Sequence, residues 1–332
     1  VKVWFTALGE DDPQSPNHGL AARMAAELRQ APQDAGCKLT DSPAHADVIV
    51  YWERGYRRGT RYAKALLAQE AIRKYPNRCF VVDDIDLPIG YLPGVYTAMP
   101  RRRMDNFRFR TGSYIDDYND FCARLADRRH EEPRLLFSFR GAASSDLRKT
   151  LLAAGLAGPN FVVQQSFGWF DHSDEKKKAY VDEILDSKFV LCPRGIATTS
   201  IRQFEVMQMG RVPVILSDDW VAPEGPPWLD CSVRVSESRI QELPQILSGY
   251  EPHAREMGRQ ARDAWERWFS PETRNASRLR YIEDILLQRP ANHDESLYHR
   301  RWLSWSFAWK YQRTPLQRLA RNARQRWLLK DA

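Results

Sequence analysis

The sequence predicts an α/β protein made of two Rossmann-like units with a crevice between them. Three observations lead there. Short apolar runs of strand type alternate with amphipathic helical stretches through residues 1 to 130, a rhythm that gives parallel sheets with helices on both faces. The alternation starts afresh at Arg134, after the polar linker Arg128-Arg129-His130-Glu131-Glu132-Pro133. A length of 332 residues is enough for two full cores.

In the first unit, Lys2 to Leu8 reads as a strand and Gly9 to His18 as a polar loop. Gly19 to Gln30 is an alanine-rich amphipathic helix. Ala46 to Trp52 is the second strand, Thr60 to Tyr75 the second helix, and Arg78 to Asp83 the third strand. Such sheets bind ligands beyond the carboxyl ends of their strands. Those ends carry Asn17 and His18, then Glu53 and Arg54, then Asp83, Asp84 and Asp86. If the chemistry needs a proton acceptor, it is expected among them, with His18, Asp83 and Asp84 as the leading candidates. Leu87 to Asp117 bears Pro, Gly, aromatics and Arg101-Arg102-Arg103. It reads as an irregular connection, either part of an acceptor surface or a solvated loop. Tyr118 to Arg129 is the last helix of the unit, which ends at residue 130.

Charge is unevenly spread. The net +7 comes from the tail: His299 to Lys330 holds nine Lys or Arg and no acid, whereas residues 1 to 298 hold 41 basic and 42 acidic side chains. A near-neutral body argues against nucleic acid as a partner. Residues 291 to 332 read as a separate basic, aromatic, helical tail. Trp302, Trp305 and Trp309 fall at i, i+3, i+7 on one helix face, with Leu316, Leu319 and Trp327 beyond Pro315. Residues 299 to 330 are expected either to lie on an anionic membrane surface or to pack back onto the body. No apolar run is long enough to cross a bilayer. The start, Val1-Lys2-Val3-Trp4-Phe5, reads as a first strand rather than a leader. Five scattered cysteines without a CxxC pair suit a cytoplasmic setting and no zinc site.

The second unit, residues 131 to 290, opens with a strand over Leu135 to Gly141. Ser145 to Ala154 follows as helix, Phe161 to Gln165 as strand and Asp174 to Leu185 as helix. The most informative stretch is Ser187 to Asp219. Phe189 to Leu191 is a buried-type strand broken by Pro193, Arg194 and Gly195. Thr198, Thr199 and Ser200 offer hydroxyl caps for a helix to Met209, which Gly210 ends. Val212 to Leu216 is the next strand, completing a parallel βαβ unit. A free helix N-terminus behind a glycine is an anion site. Thr198, Arg202 and Glu205 are spaced i, i+4, i+7 and share one face. The guanidinium there suits a phosphate and the carboxylate suits ribose hydroxyls. The bland alternative is an Arg202–Glu205 surface pair worth roughly a few tenths of a kcal/mol. Cys192 reads as a small buried residue rather than a nucleophile. Asp218-Asp219 invites a metal assignment, but no metal site is expected. Ser232 to Val235, Arg239 to Leu247 and Glu251 to Phe269 complete the unit as strand, helix and helix.

In this register Ser187, Phe189, Leu191, Pro193, Gly195, Ser200, Arg202, Glu205, Gly210, Pro213, Val214, Ile215 and Asp218 resemble the pattern of the exostosin family, glycosyltransferase family 47. Phe139-Arg140-Gly141 is similar to a Phe-Arg-Gly of the same family. The resemblance runs from about Leu135 to Ser270. It implies a GT-B fold, two facing α/β domains, with a nucleotide sugar held by the second. Carried over residue by residue, the donor site falls on Arg140, Gly141, Arg194, Gly195, Thr199, Ser200, Arg202 and Glu205. Glu205 would hold ribose, Thr199 and Ser200 a phosphate, and Arg140 and Arg202 the leaving diphosphate. Arg194 would sit near the sugar. The implied activity is metal-independent, inverting glycosyl transfer from a UDP-sugar to a glycan or lipid-linked glycan, with no other cofactor. A GDP-sugar-dependent, fucosyltransferase-like enzyme and a non-catalytic glycan- or lipid-binding subunit stand as alternatives.

Overall fold

The computed structural model describes residues 1–30, 36–54, 59–156, 158–166 and 173–307. In chain order the elements are β1 (Lys2–Thr6), α1 (Leu20–Gln30), β2 (Lys38–Leu39), β3 (Val48–Glu53), α2 (Thr60–Ala68), α3 (Glu70–Lys74), β4 (Cys79–Asp83), β5 (Gly94–Tyr96), β6 (Phe109–Thr111) and α4 (Phe121–Arg124). The second series is β7 (Leu135–Gly141), α5 (Asp146–Ala153), β8 (Phe161–Gln165), α6 (Asp174–Leu185), β9 (Ser187–Pro193), α7 (Ile201–Gln208), β10 (Val212–Leu216), α8 (Trp228–Cys231) and β11 (Val233–Arg234). Then come α9 (Leu243–Tyr250), α10 (Ala254–Trp268), α11 (Arg274–Gln288) and α12 (Ser296–His299). Among the described residues no helix is long and apolar enough to cross a membrane.

Two parallel sheets form, ordered β2-β1-β3-β4-β5-β6 and β11-β10-β9-β7-β8. This is the GT-B type of architecture. Parallel strands are covered on both faces and so read as continuous apolar runs. Every residue of β3, β4 and β10 is buried. In each sheet the chain reverses direction after its second strand, leaving switch points between β1 and β3 and between β7 and β9. Ligand crevices of doubly wound sheets open there.

One face of the first sheet packs Val50, Trp52, Phe80 and Val82 against α1 and α11. The other packs Tyr51, Val81 and Tyr91 against α2, α3 and Trp302. In the second sheet, Phe137, Phe139 and Leu191 face α5 and α9, while Val190 and Cys192 face α6 and α7.

The stretch Leu87 to Asp117 departs from expectation. It is not a solvated loop: residues 91–100 are buried throughout, and β5 and β6 extend the first sheet. Gly94 makes this possible. Its φ is +146°, and a Cβ there would lie 2.0 Å from the Val81 carbonyl oxygen, so any side chain pushes β5 off β4. Gly94→Ala is expected to cost about 3 kcal/mol and lower the melting midpoint by roughly 5 to 10 °C. The matched control is Gly19→Ala, also at positive φ but with nothing within 4 Å of its Cβ. Equal losses in the two variants would refute the packing account.

The helix expected over Thr60 to Tyr75 is interrupted at Gln69, whose backbone is extended. Both pieces still reach one core through Leu66 and Ile72. The segment Tyr118 to Arg129, assigned by sequence to the first unit, packs instead on the second: Phe121 and Cys122 sit with Val181 and Ile184. Buried Arg211 fixes the linker there by donating to the carbonyls of Arg129, Glu131 and Leu185. Conversely α11, within residues 131 to 290, returns to the first sheet through Leu279, Ile282 and Ile285. Trp302 and Trp305 do not share a face: Trp302 is 1% exposed and Trp305 77% exposed. Trp309, Leu316, Leu319 and Trp327 lie outside the described residues.

Candidate functional site

The switch point of the second sheet brings together the end of β7, the end of β9 and the N-terminus of α7. Arg202, in the first turn of α7, is 8% exposed. Its guanidinium lies between the rings of Phe139 and Tyr180, 4.8 and 5.3 Å from their centroids. Nη2 donates to the Arg140 carbonyl at 2.5 Å and Nε donates to the Tyr180 hydroxyl at 3.1 Å. Gly141 leaves the room for this: a Cβ there would be 3.2 Å from Arg202 Nη2. The Tyr180 hydroxyl in turn donates to Glu205 Oε2 at 2.7 Å. Arg202 and Glu205 therefore meet through a tyrosine, rather than as the surface pair their spacing also allowed. Burial raises the Glu205 pKa above the usual carboxylate range, with Tyr180 and Arg202 pulling it back.

Three buried polar atoms here have no hydrogen-bond partner among the described residues: Arg202 Nη1, Thr199 Oγ1 and Gln203 Nε2. Ser200 occupies the cap position of α7 in extended conformation, yet its side chain makes no capping bond. Leaving a buried donor unsatisfied costs about 1–3 kcal/mol, so the cluster is suited to an anionic acceptor from outside.

Sequence reasoning missed Arg148 on α5. It is 7% exposed, and Nε and Nη2 donate to the Pro193 carbonyl at 3.3 and 3.2 Å. Among the described residues no carboxylate forms an ion pair with it. Burial, together with the Arg202 charge, pushes its pKa down to about 10. A signal was available: Arg148 is the third residue of a helix, where the dipole disfavours a cation.

The remaining donor-side candidates are placed differently. Arg140 gives the site its carbonyl, whereas its guanidinium pairs with Glu183 at 2.7 Å. That pair borders an outer groove of about 470 Å³ between β8 and α6. Arg194 is clamped in bidentate fashion by Glu237 at 2.6 and 2.7 Å. Gly195 stands open beside Arg148, with 3.8 Å from a would-be Cβ to Nη2. Asp219 pairs with Arg102, and Asp218 accepts from the Glu237 N–H and the Ser236 hydroxyl. Those carboxylates serve protein partners. Among the described residues no group of three or more His, Cys, Asp or Glu is arranged to hold a metal.

On the facing unit, the strand-end carboxylates divide by role. Glu53 is fully buried and accepts from the Leu8 N–H and Asn17 Nδ2 at 2.9 and 3.0 Å. It ties down the loop after β1. His18 is exposed, with Nδ1 3.0 Å from the Glu10 carbonyl. Asp83 is 2% exposed and accepts from the Ile85 N–H at 2.9 Å. Asp84 differs. It is half-buried, its Oδ2 has no hydrogen-bond partner among the described residues, and burial followed by the Asp83 charge raises its pKa to about 6. Desolvation also lifts Asp86, with Arg148 of the second unit acting against it. Tyr114, unread in the sequence, lies within the fields of Asp86, Asp84 and Arg148. Arg148 thus acts on Asp86 and Tyr114 of the facing unit, while Asp84 feels Asp83, Arg54 and Arg278. The contacts that join the two units include Thr198 Oγ1 donating to the Ala98 carbonyl at 3.1 Å, the Arg101 N–H to the Asp219 carbonyl at 2.9 Å, and Arg101 Nη2 to the Trp220 carbonyl at 3.1 Å, beside the Arg102–Asp219 pair.

The molecule is thus an α/β protein of two doubly wound sheets with a cationic, under-satisfied helix terminus at one switch point. Its relatives say more. Residues 95–250, just under half of the chain, match the Exostosin GT47 domain, and this part of the chain is exostosin-like. The match begins before Leu135, taking in β5 and β6, and ends before Ser270. A rice protein (Oryza sativa subsp. japonica) named probable glucuronosyltransferase is 37% identical over 124 residues, 36% of this chain and 30% of that protein. An Exostosin-1 homolog of Caenorhabditis elegans is 33% identical over 98 residues, 28% of this chain and 26% of that protein. The match therefore spans under a third of those relatives' own length. A solved α1,3-fucosyltransferase aligns over 89% of this chain and 92% of its own, at 11% identity and a TM-score of 0.41.

Proposed function

We propose that this chain is a glycosyltransferase that moves a sugar from a nucleotide-sugar donor, a UDP-sugar, to a hydroxyl of a glycan or lipid-linked glycan, with inversion and without a metal. The observation that carries this reading is the buried pair Arg148 and Arg202 beside Thr199 Oγ1 and Gln203 Nε2, which have no hydrogen-bond partner among the described residues. The exostosin match and the glycosyltransferase names of its relatives support it.

In the proposed reaction the acceptor oxygen forms a bond to the anomeric carbon while the bond from that carbon to the diphosphate oxygen breaks. The acceptor proton passes to Asp84. Charge growing on the leaving diphosphate is met by Arg202 Nη1, Arg148 and the N-terminal end of α7, and fixed donors of this kind supply the electrostatic share of catalysis. Glu205, held by Tyr180, is assigned to the ribose hydroxyls. Metal-free transfer is consistent with two cations standing where a divalent ion would otherwise offset charge. Five cysteines without a disulfide suit work in a reducing compartment.

The test is a thermal-shift screen of the full chain against UDP-, GDP-, CMP- and dTDP-sugars, with turnover measured for the stabilising class. UDP-sugars are expected to raise the midpoint, with Arg148→Ala and Glu205→Ala removing most of the gain. Stabilisation by GDP-sugars instead would favour the fucosyltransferase-like alternative. Binding without turnover across a panel of glycan acceptors would favour a non-catalytic subunit.

A further inference from the structure

We propose that residues 297–305, with Phe107, form a docking surface for an anionic lipid bilayer. The segment is pinned from within. Trp302 packs edge-on against Tyr91 at 5.2 Å and lies 4.3 Å from the His299 ring, and Phe307 meets Tyr91 at 5.4 Å. Buried Glu295 pairs with Arg108, whose guanidinium stands 4.0 Å over the Tyr298 ring. On either side of that contact, the neighbouring residues turn outward. Phe107 is 59% exposed, Leu297 51%, Leu303 46% and Trp305 77%. Arg300 and Arg301 are exposed among them.

Exposed Trp, Phe and Leu interleaved with arginine is the composition of an interfacial element: rings and aliphatic chains enter the headgroup boundary while guanidinium groups meet lipid phosphate. Charge complementarity singles out the occupant. From Arg300 to Lys330 the chain carries nine Lys or Arg and no acid, interleaved with Trp309, Leu316, Leu319, Trp327, Leu328 and Leu329. A soluble polyanion would use the charge but not the apolar side chains. The surface is independent of the donor crevice, so either reading can fail without the other.

The experiment is co-sedimentation of the full chain with vesicles of phosphatidylcholine alone and of phosphatidylcholine mixed with phosphatidylglycerol. The protein is expected to pellet with the mixed vesicles only and to be released by high salt. Arg300→Ala with Arg301→Ala should lower partitioning about thirtyfold, at roughly 1 kcal/mol for each basic residue near an anionic surface. Leu303→Ala with Trp305→Ala should lower it about tenfold or more. The melting midpoint of each double variant, measured alongside, separates a loss of folding from a loss of lipid contact. Wild-type protein left in the supernatant with both vesicle types would overturn the proposal, as would equal pelleting with both. Variants that bind like the wild type would also overturn it, since lipid contact would then lie elsewhere in the tail. The donor-induced thermal shift, measured without lipid, reports separately on the crevice.

Discussion

Asp84→Asn is expected to lower kcat by about 10²- to 10⁴-fold, the range in which a positioned base contributes, with the donor dissociation constant nearly unchanged. Asn keeps the size of the side chain and removes its ability to take a proton. The pH profile sharpens the test. A base works deprotonated, and the Asp84 pKa is raised to about 6. Wild-type kcat/KM should therefore rise with pH up to about 6 and level off above it, and the residual activity of the variant should lose that limb. Stability should move the other way. A carboxyl whose folded pKa is raised above its unfolded value stabilises the fold in its protonated form, below the unfolded pKa, and that contribution is lost as pH rises through about 6. Near neutral pH, Asn removes a half-buried charge, so the variant should melt higher than the wild type at pH 7 and lower relative to it at pH 4. An Asp84→Asn protein with wild-type turnover would exclude this residue as the base and return attention to Asp86, the other desolvated carboxylate at the crevice.

Arg202→Lys is expected to lower kcat/KM by about 10²- to 10³-fold, comparable with the loss of one fixed donor to a developing anion. The charge is retained, so the effect isolates geometry. Arg202 sits between Phe139 and Tyr180, and spends Nη2 on the Arg140 carbonyl and Nε on Tyr180. Only a planar, forked group makes both contacts and still leaves Nη1 for a ligand. A lysine ammonium reaches one of these positions at a time. Kinetics on a UDP-sugar, with near-ultraviolet circular dichroism to check packing, measure this directly. A lysine variant within a few-fold of wild type would mean that charge alone suffices at this position.

Legibility in the sequence followed locality. The βαβ motif from Ser187 to Leu216 was readable because each of its signals lies within a few residues: an apolar run, a Pro-Arg-Gly break, hydroxyl caps and a closing glycine. Gly210 indeed has φ +65° at the end of α7. The strands β8 and β10 and the helix α6 have the expected bounds. By contrast β5 and β6 span three residues each, too short for an alternation to register. Their strand character comes from the neighbour they pair with. The chain's return to the first sheet escaped for a related reason. Leu279, Ile282, Ile285 and Leu286 mark a helix face, but helical spacing does not say which sheet the face will cover.

The site divides along the same line. Arg202 and Glu205 share one helix, and their common face was visible. Tyr180 links them from α6, Arg148 reaches in from α5, and Tyr114 arrives from the opposite unit. Each depends on packing between distant segments. Arg140 and Arg194 show the reverse limit. Residue type and position were those of a donor contact, yet Glu183 and Glu237, 43 residues further along the chain in each case, engage both guanidinium groups.

The crossing of α11 back to the first sheet bears on how the protein is made. Trp52, Phe80 and Val82 leave the ribosome well before the residues that roof them, Leu279, Ile282 and Ile285. The second sheet contains all of its own strands between residues 135 and 234. It is able to close first, while the earlier one waits with an uncovered apolar face. Contacts that must span more than two hundred residues form slowly, and exposed apolar surface in the interval is open to aggregation. A chain of this design is expected to rely on chaperone binding to its first sheet until α11 is released from the ribosome.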